Sequence, residues 1–76
     1  MKTIRCFMVR VFDGVDVIEV AHYPTFEHAY SFIVECMEGI PLSDCIKGED
    51  KAELHGYNGE VATVRPILIR GVEVKE

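Results

Sequence analysis

The dipeptide Asp13-Gly14 lies between two runs rich in β-branched and aromatic residues, Ile4–Phe12 and Val15–Tyr23. Asp-Gly in that position is among the strongest two-residue hairpin signals, because a type I′ turn needs positive φ at both central residues. The hairpin so predicted pairs Phe12 with Val15, Val9 with Ile18 and Phe7 with Val20. One face then collects Phe7, Val9, Val11, Ile18 and Val20, the set a helix should cover. The other carries Ile4, Cys6, Met8, Arg10, Phe12, Val15, Val17, Glu19, Ala21 and Tyr23, and is too apolar to be freely solvated. A four-residue loop keeps the same parity as a two-residue one, so both face assignments hold for either turn.

Pro24 ends the second run, and Thr25 is placed to cap a helix over Phe26–Glu38. At 100° per residue, Phe26, Ala29, Tyr30, Ile33, Cys36, Met37 and Ile40 share one side. Phe32 and Val34 widen that arc to about 200°, beyond the apolar stripe of a one-sided surface helix. Glu27, Glu35 and Glu38 form the polar side, Gly39 suits a left-handed residue after the helix, and Pro41 forbids continuation. In the segment Leu42–Gly56, Ser43 or Asp50 could cap a short helical turn. Lys51–Tyr57 reads equally as a strand, which the second turn signal, Asn58-Gly59, favours. Glu60–Glu76 is extended, with Pro66 confined to an edge or a bulge, Ile67-Leu68-Ile69 a buried run, and Arg70-Gly71 a third tight turn. The expected fold is α+β: one antiparallel sheet of three to five strands, order β-β-α-β-β, with a single helix packed on one face. A single domain over all 76 residues is expected.

No run approaches the ~20 apolar residues of a membrane-spanning helix. Met1–Arg5 leads into an alternating strand rather than an apolar signal block, so the expected location is the cytosol. Cys6, Cys36 and Cys45 are odd in number and scattered, unlike a disulfide scaffold; Cys6 and Cys36 read as small core residues and Cys45 as exposed. The net charge of −5 is concentrated. Residues 27–60 hold eight acids against Lys47 and Lys51, whereas the flanking segments are nearly balanced.

Chemistry-bearing patterns are sparse. His22 and His28 have the H-x3-5-H separation of a zinc motif, but a strand-to-helix boundary divides them and no cysteine pair accompanies them, so no metal and no cofactor is expected. Cys36 lies at the helix end that disfavours a thiolate, and Glu35 and Glu38 lie on a solvent face rather than in a cleft. Gly56–Gly59 has neither the Walker nor the dinucleotide spacing. No catalytic residue emerges, and a non-enzymatic protein is expected.

What remains is surface. Glu27, Glu35, Glu38, Asp44, Glu49, Asp50 and Glu53 could form one negative surface that docks on a basic patch of a partner protein. Ile4, Met8, Phe12 and Val17 on the second sheet face, or Phe32 and Val34 on the helix flank, suggest a homodimer. Two rival classes are a nucleic-acid-binding module using Arg5, Arg10, Arg65 and Arg70, which overall acidity disfavours, and a small-ligand or metal-binding regulator using His22, His28 and a cysteine.

The hairpin, followed by a threonine-capped helix opening with Thr25-Phe26-Glu27-His28-Ala29, resembles small proteins of bacteriophages and mobile elements. Some anti-CRISPR proteins are similar in architecture. That resemblance covers less than half the chain. It implies a small, acidic, non-enzymatic inhibitor that occludes a host defence or nucleic-acid-handling protein, and it transfers no functional residues.

Overall fold

A computed structural model describes residues 3–70. Its elements are β1 (Thr3–Phe12), β2 (Val17–Tyr23), α1 (Phe26–Cys36), β3 (Leu42–Lys47), β4 (Ala52–Gly56) and β5 (Val61–Arg70). The strands form one sheet in the order β2-β1-β5-β4-β3, with every neighbouring pair antiparallel. The fold is thus α+β with one antiparallel five-stranded sheet and a single helix. Its element order is β-β-α-β-β-β, one strand beyond the expected β-β-α-β-β, because Leu42–Lys47 forms an edge strand. That strand is exposed along its whole length, so it carries no buried alternation for a sequence reading to find.

Long β1–β5 pairing, from Thr3↔Arg70 to Phe12↔Val61, forms the spine of the sheet. On one face Phe7, Val9 and Val11 of β1 join Ala62 and Val64 of β5, Ala52 and Leu54 of β4, and Ala29, Ile33 and Met37 in a single core cluster. Val9, Val64 and Ile33 are its largest fully buried side chains. The helix starts as expected: the Thr25 hydroxyl accepts from the His28 amide at 3.2 Å, filling one of the orphan donors of the first turn. It stops at Cys36, two residues before Glu38, with Met37 as its C-cap. Gly39 then takes the left-handed φ of +83°.

Neither tight turn is type I′, since no non-glycine residue has positive φ among the described residues. Asp13 instead accepts the amides of Val15 and Asp16 on its carboxylate, each at 2.8 Å. These bonds hold the carboxyl below its ordinary pKa and close a four-residue loop from Asp13 to Asp16. The second turn is a three-residue loop, Tyr57-Asn58-Gly59, closed by the Gly56 amide on the Glu60 carbonyl at 2.8 Å. The two loops touch: a Cβ on Gly14 would lie 2.8 Å from the Asn58 carbonyl oxygen.

Loop length alone preserves the face parity of β2, but a bulge reverses it. Phe12 pairs with Val17, whereas Val11 pairs with Glu19, so Ile18 is an extra residue on β2. Beyond it, Ala21 and Tyr23 sit opposite Val9 and Phe7 on the helix side, and Val20 sits opposite Arg10 on the other side. The expected placement of Ile18 and Val20 under the helix is therefore corrected; they are 58% and 50% exposed.

Pro66 lies within β5 opposite Phe7. The Gly56–Glu60 bond sets the alternation along β5, and places the missing Pro66 donor on the flank facing β4. Pairing with β4 has already ended at Val64, so Pro66 occupies a local edge, where its lack of an N–H costs no ladder bond. The run after it is not buried: Ile67 is half-buried and Leu68 and Ile69 are exposed. The expected turn at Arg70-Gly71 falls outside the described residues.

Two substitutions test this account by urea denaturation. Gly14→Ala, which combines positive φ with contact on the neighbouring loop, should lower stability by at least about 1–2 kcal/mol. Ile33→Ala should cost about 2–5 kcal/mol through cavity formation, a large part of what a chain of this size has in reserve.

Candidate interaction surface

The face of the sheet opposite α1 carries no layer of secondary structure among the described residues. Alternation places Cys6, Met8, Arg10 and Phe12 of β1 there, with Val61, Thr63, Arg65 and Ile67 of β5, Val20 and His22 of β2, Glu53 and His55 of β4, and Asp44 and Ile46 of β3. A solvated antiparallel face would be mainly polar at such positions. This one mixes large apolar side chains with a few charges. At its centre is an open groove of about 360 Å³, lined by Met8, Arg10, Phe12, Val17, Glu53, Val61, Thr63 and Arg65.

Charge on this face is ordered by strand. Arg10 and Arg65 stand on the adjacent strands β1 and β5, where Arg10 faces Thr63 and Arg65 faces Met8. Neither has an ion-pair partner among the described residues. Glu53 stands on β4 opposite Thr63, 2.9 Å from Nε2 of His55, and Asp44 pairs with His55 on β3. Cations thus occupy the middle of the sheet and carboxylates the β4–β3 side.

Of the anticipated dimer residues, Met8, Phe12 and Val17 meet in the groove. The Ile4 side chain is outside the described set. Phe32 belongs to the other side of the sheet, half-buried with its ring centroid 5.4 Å from that of Tyr23, and Val34 is exposed on the helix. Arg10 shares its hairpin face with Met8 and Phe12 by strand alternation alone, but Arg65, Thr63 and Val61 are not legible as their companions. Only the β1–β5 register reveals them, and it joins residues far apart in the sequence.

The acidic residues do not share one surface. Glu53 and Asp44 lie on the open face, while Glu27, Glu35 and Glu38 are exposed on and just after α1. Asp50 bonds the guanidinium of Arg5 at 3.0 Å, and Glu49 lies beside it in the β3–β4 turn. Arg5 also stands 5.4 Å above the Phe7 ring, on the helix side, so it is separated from Arg10 and Arg65; the Arg70 side chain is outside the described set. One acid not anticipated joins the helix group: the bulge turns Glu19 to the helix side. Burial, then Glu19 and Glu35, push the Cys36 thiol above its ordinary pKa. Glu35 and Glu38 also stand at the helix C-terminal end, with no basic residue in the last turn, where the peptide dipoles already place negative potential.

His22 is on the open face opposite Met8 and His28 is in the first turns of α1, so the two expected histidines are held on opposite sides of the sheet. No group of three or more His, Cys, Asp or Glu side chains suited to a metal ion occurs among the described residues. No helix among them is long and apolar enough to cross a membrane. Comparison with known proteins finds no matching family model, curated relative or solved structure.

The Cys36 environment gives a direct check on the acidic group. Cys36 should alkylate slowly, with its rate rising only at pH values above those of an ordinary thiol, because the thiolate is the nucleophile. Replacing both Glu19 and Glu35 by Gln should speed alkylation at pH 8 by roughly two- to fourfold, read by mass spectrometry of the Cys36 peptide.

Proposed function

We propose that this protein is a non-enzymatic interaction protein whose working surface is the open face of its sheet. The observation that carries this reading is the groove of Met8, Phe12, Val17 and Val61 around two arginines, on a face that nothing among the described elements covers. Aromatic residues, Met and Arg are the types enriched in protein interfaces, and an apolar face with a few charges matches a desolvated contact with a polar rim. The groove is shallow and open, so it suits a broad macromolecular contact better than enclosure of a small ligand.

A second reading rests on a separate observation, the gathering of Glu19, Glu35 and Glu38 at the C-terminal end of α1. A basic partner patch docked there would offset the carboxylates and the helix dipole together. This is the geometry through which a phage-type inhibitor would occlude a nucleic-acid-handling protein.

Photo-cross-linking in bacterial cells separates the two. A benzophenone amino acid replacing Val17 places the probe on the open face; one replacing Glu38 places it at the helix end. A discrete protein adduct from position 17 alone is expected. Adducts from position 38 alone would transfer the function to the acidic helix end, and nuclease-sensitive adducts from position 17 would make the open face a nucleic-acid surface.

A further inference from the structure

We propose that the partner on the open face is a second copy of this chain, packed face to face about a two-fold axis running along β5. This deepens the reading of the open face as the working surface and rests on it. Three features of that face support a self-complementary contact.

The first is its charge pattern. The protein as a whole is acidic, but the open face presents Arg10 and Arg65 against Glu53 and Asp44. A partner of one sign would meet repulsion on half of such a face. In the sheet order β2-β1-β5-β4-β3, β1 and β4 are the strands immediately either side of β5. Rotation about an axis along β5 therefore lays β1 of one copy over β4 of the other. Arg10 and Glu53 both lie level with Thr63, so each Arg10 falls over the second copy's Glu53. Two equivalent ion pairs form, and each Arg65 stands one strand across and two residues along from the same carboxylate. An isologous interface demands this reciprocity.

The second is apolar matching under the same operation. Val20 lies level with Arg10 on β2, and Ile46 lies level with Glu53 on β3. The rotation exchanges the two outer strands, so Val20 and Ile46, each half-exposed in one copy, cover one another. Val61 and Thr63 lie on the axis and meet their own copies. The remaining apolar groove residues on β1, Met8 and Phe12, are enclosed between the sheets.

The third is area. Five strands about 4.8 Å apart and about seven residues long at about 3.3 Å each give a face near 24 by 23 Å, or roughly 550 Å² per copy. Two copies bury about 1,100 Å², above the ~1,000 Å² expected of a specific interface. The result is a four-layer helix–sheet–sheet–helix dimer, with aligned sheets packed as in a β-sandwich.

The test is sedimentation equilibrium on the full chain from 1 to 200 µM, with circular dichroism to verify folding. The wild type should have twice its 8.6 kDa chain mass. Arg10→Glu and Glu53→Arg should each weaken association at least tenfold, because each places like charges across the axis. The double variant R10E/E53R restores opposite charges and should recover wild-type association. Any effect on the fold alone would not be rescued by the swap. A wild type that is monomeric at 200 µM overturns the proposal, as does a dimer indifferent to either single variant or a double variant that does not recover. If the chain is monomeric and the position-17 probe captures another protein, the open face remains the working surface and only the second copy fails. If it captures nothing as well, both fail.

Discussion

The burial of Ile33 in one cluster with the Val9–Val64 cross-strand pair is the constraint on which the rest of the molecule depends. All three side chains are fully buried, and they join residues whose sequence neighbours share no other reason to meet. β1 and β5 are the longest strands and lie side by side in the sheet. Pairing them commits the chain to closing the long loop between Phe12 and Val61, which burial of their shared helix-side face must offset. The aromatic ladder beside this core extends it outward. Phe7 meets Phe26 edge-on and Phe26 stacks on Tyr30, while Arg5 and Lys47 stand over the outer rings at 5.4 and 4.5 Å. The cations shield ring faces that would otherwise be wet, and so help confine the apolar core to one side of the sheet.

The composition of the other side is fixed by one residue. Without the bulge at Ile18, β2 would send Ile18 and Val20 toward the helix and Ala21 and Tyr23 away from it. With it, Tyr23 packs against Phe32, Glu19 joins the helix carboxylates, and Val20 is left on the open face beside Arg10. A single inserted residue thus makes the open face more aliphatic and removes an acid from it.

Legibility in the sequence divides along the same physical line. The helix, its Thr25 cap and the burial of Val9, Val11 and Ile33 follow from periodicity and local chemistry, and all were readable. Asp-Gly and Asn-Gly mark where the turns lie but not their type; Asp13, for one, closes its loop with a side chain that offers the backbone an alternative to positive φ. Parity of β2 was unreadable, since no residue near Ile18 announces a bulge. β3 was unreadable because an exposed edge strand has no core face to imprint a pattern. Half of the candidate surface, Met8, Arg10, Phe12 and Val17, is visible on one hairpin face, which stands out by its excess apolarity. The other half, Val61, Thr63, Arg65 and Glu53, required the β1–β5–β4 register, which local sequence does not encode.

Where the acids lie bears on the dimer from a second direction. A face-to-face pair closes both open faces and turns both helices outward, with Glu19, Glu27, Glu35 and Glu38 on its two outer layers. A chain with an apolar sheet face risks continued stacking unless its reverse side refuses the contact. Carboxylates gathered at a helix C-terminus supply that refusal, because their repulsion adds to the dipole instead of being cancelled by it. The same charges would therefore limit assembly to two copies. On this account the neutral face and the acidic face are one design, and neutralising Glu19, Glu35 and Glu38 together should convert a bounded dimer into larger species at the same concentration, visible as added mass in sedimentation.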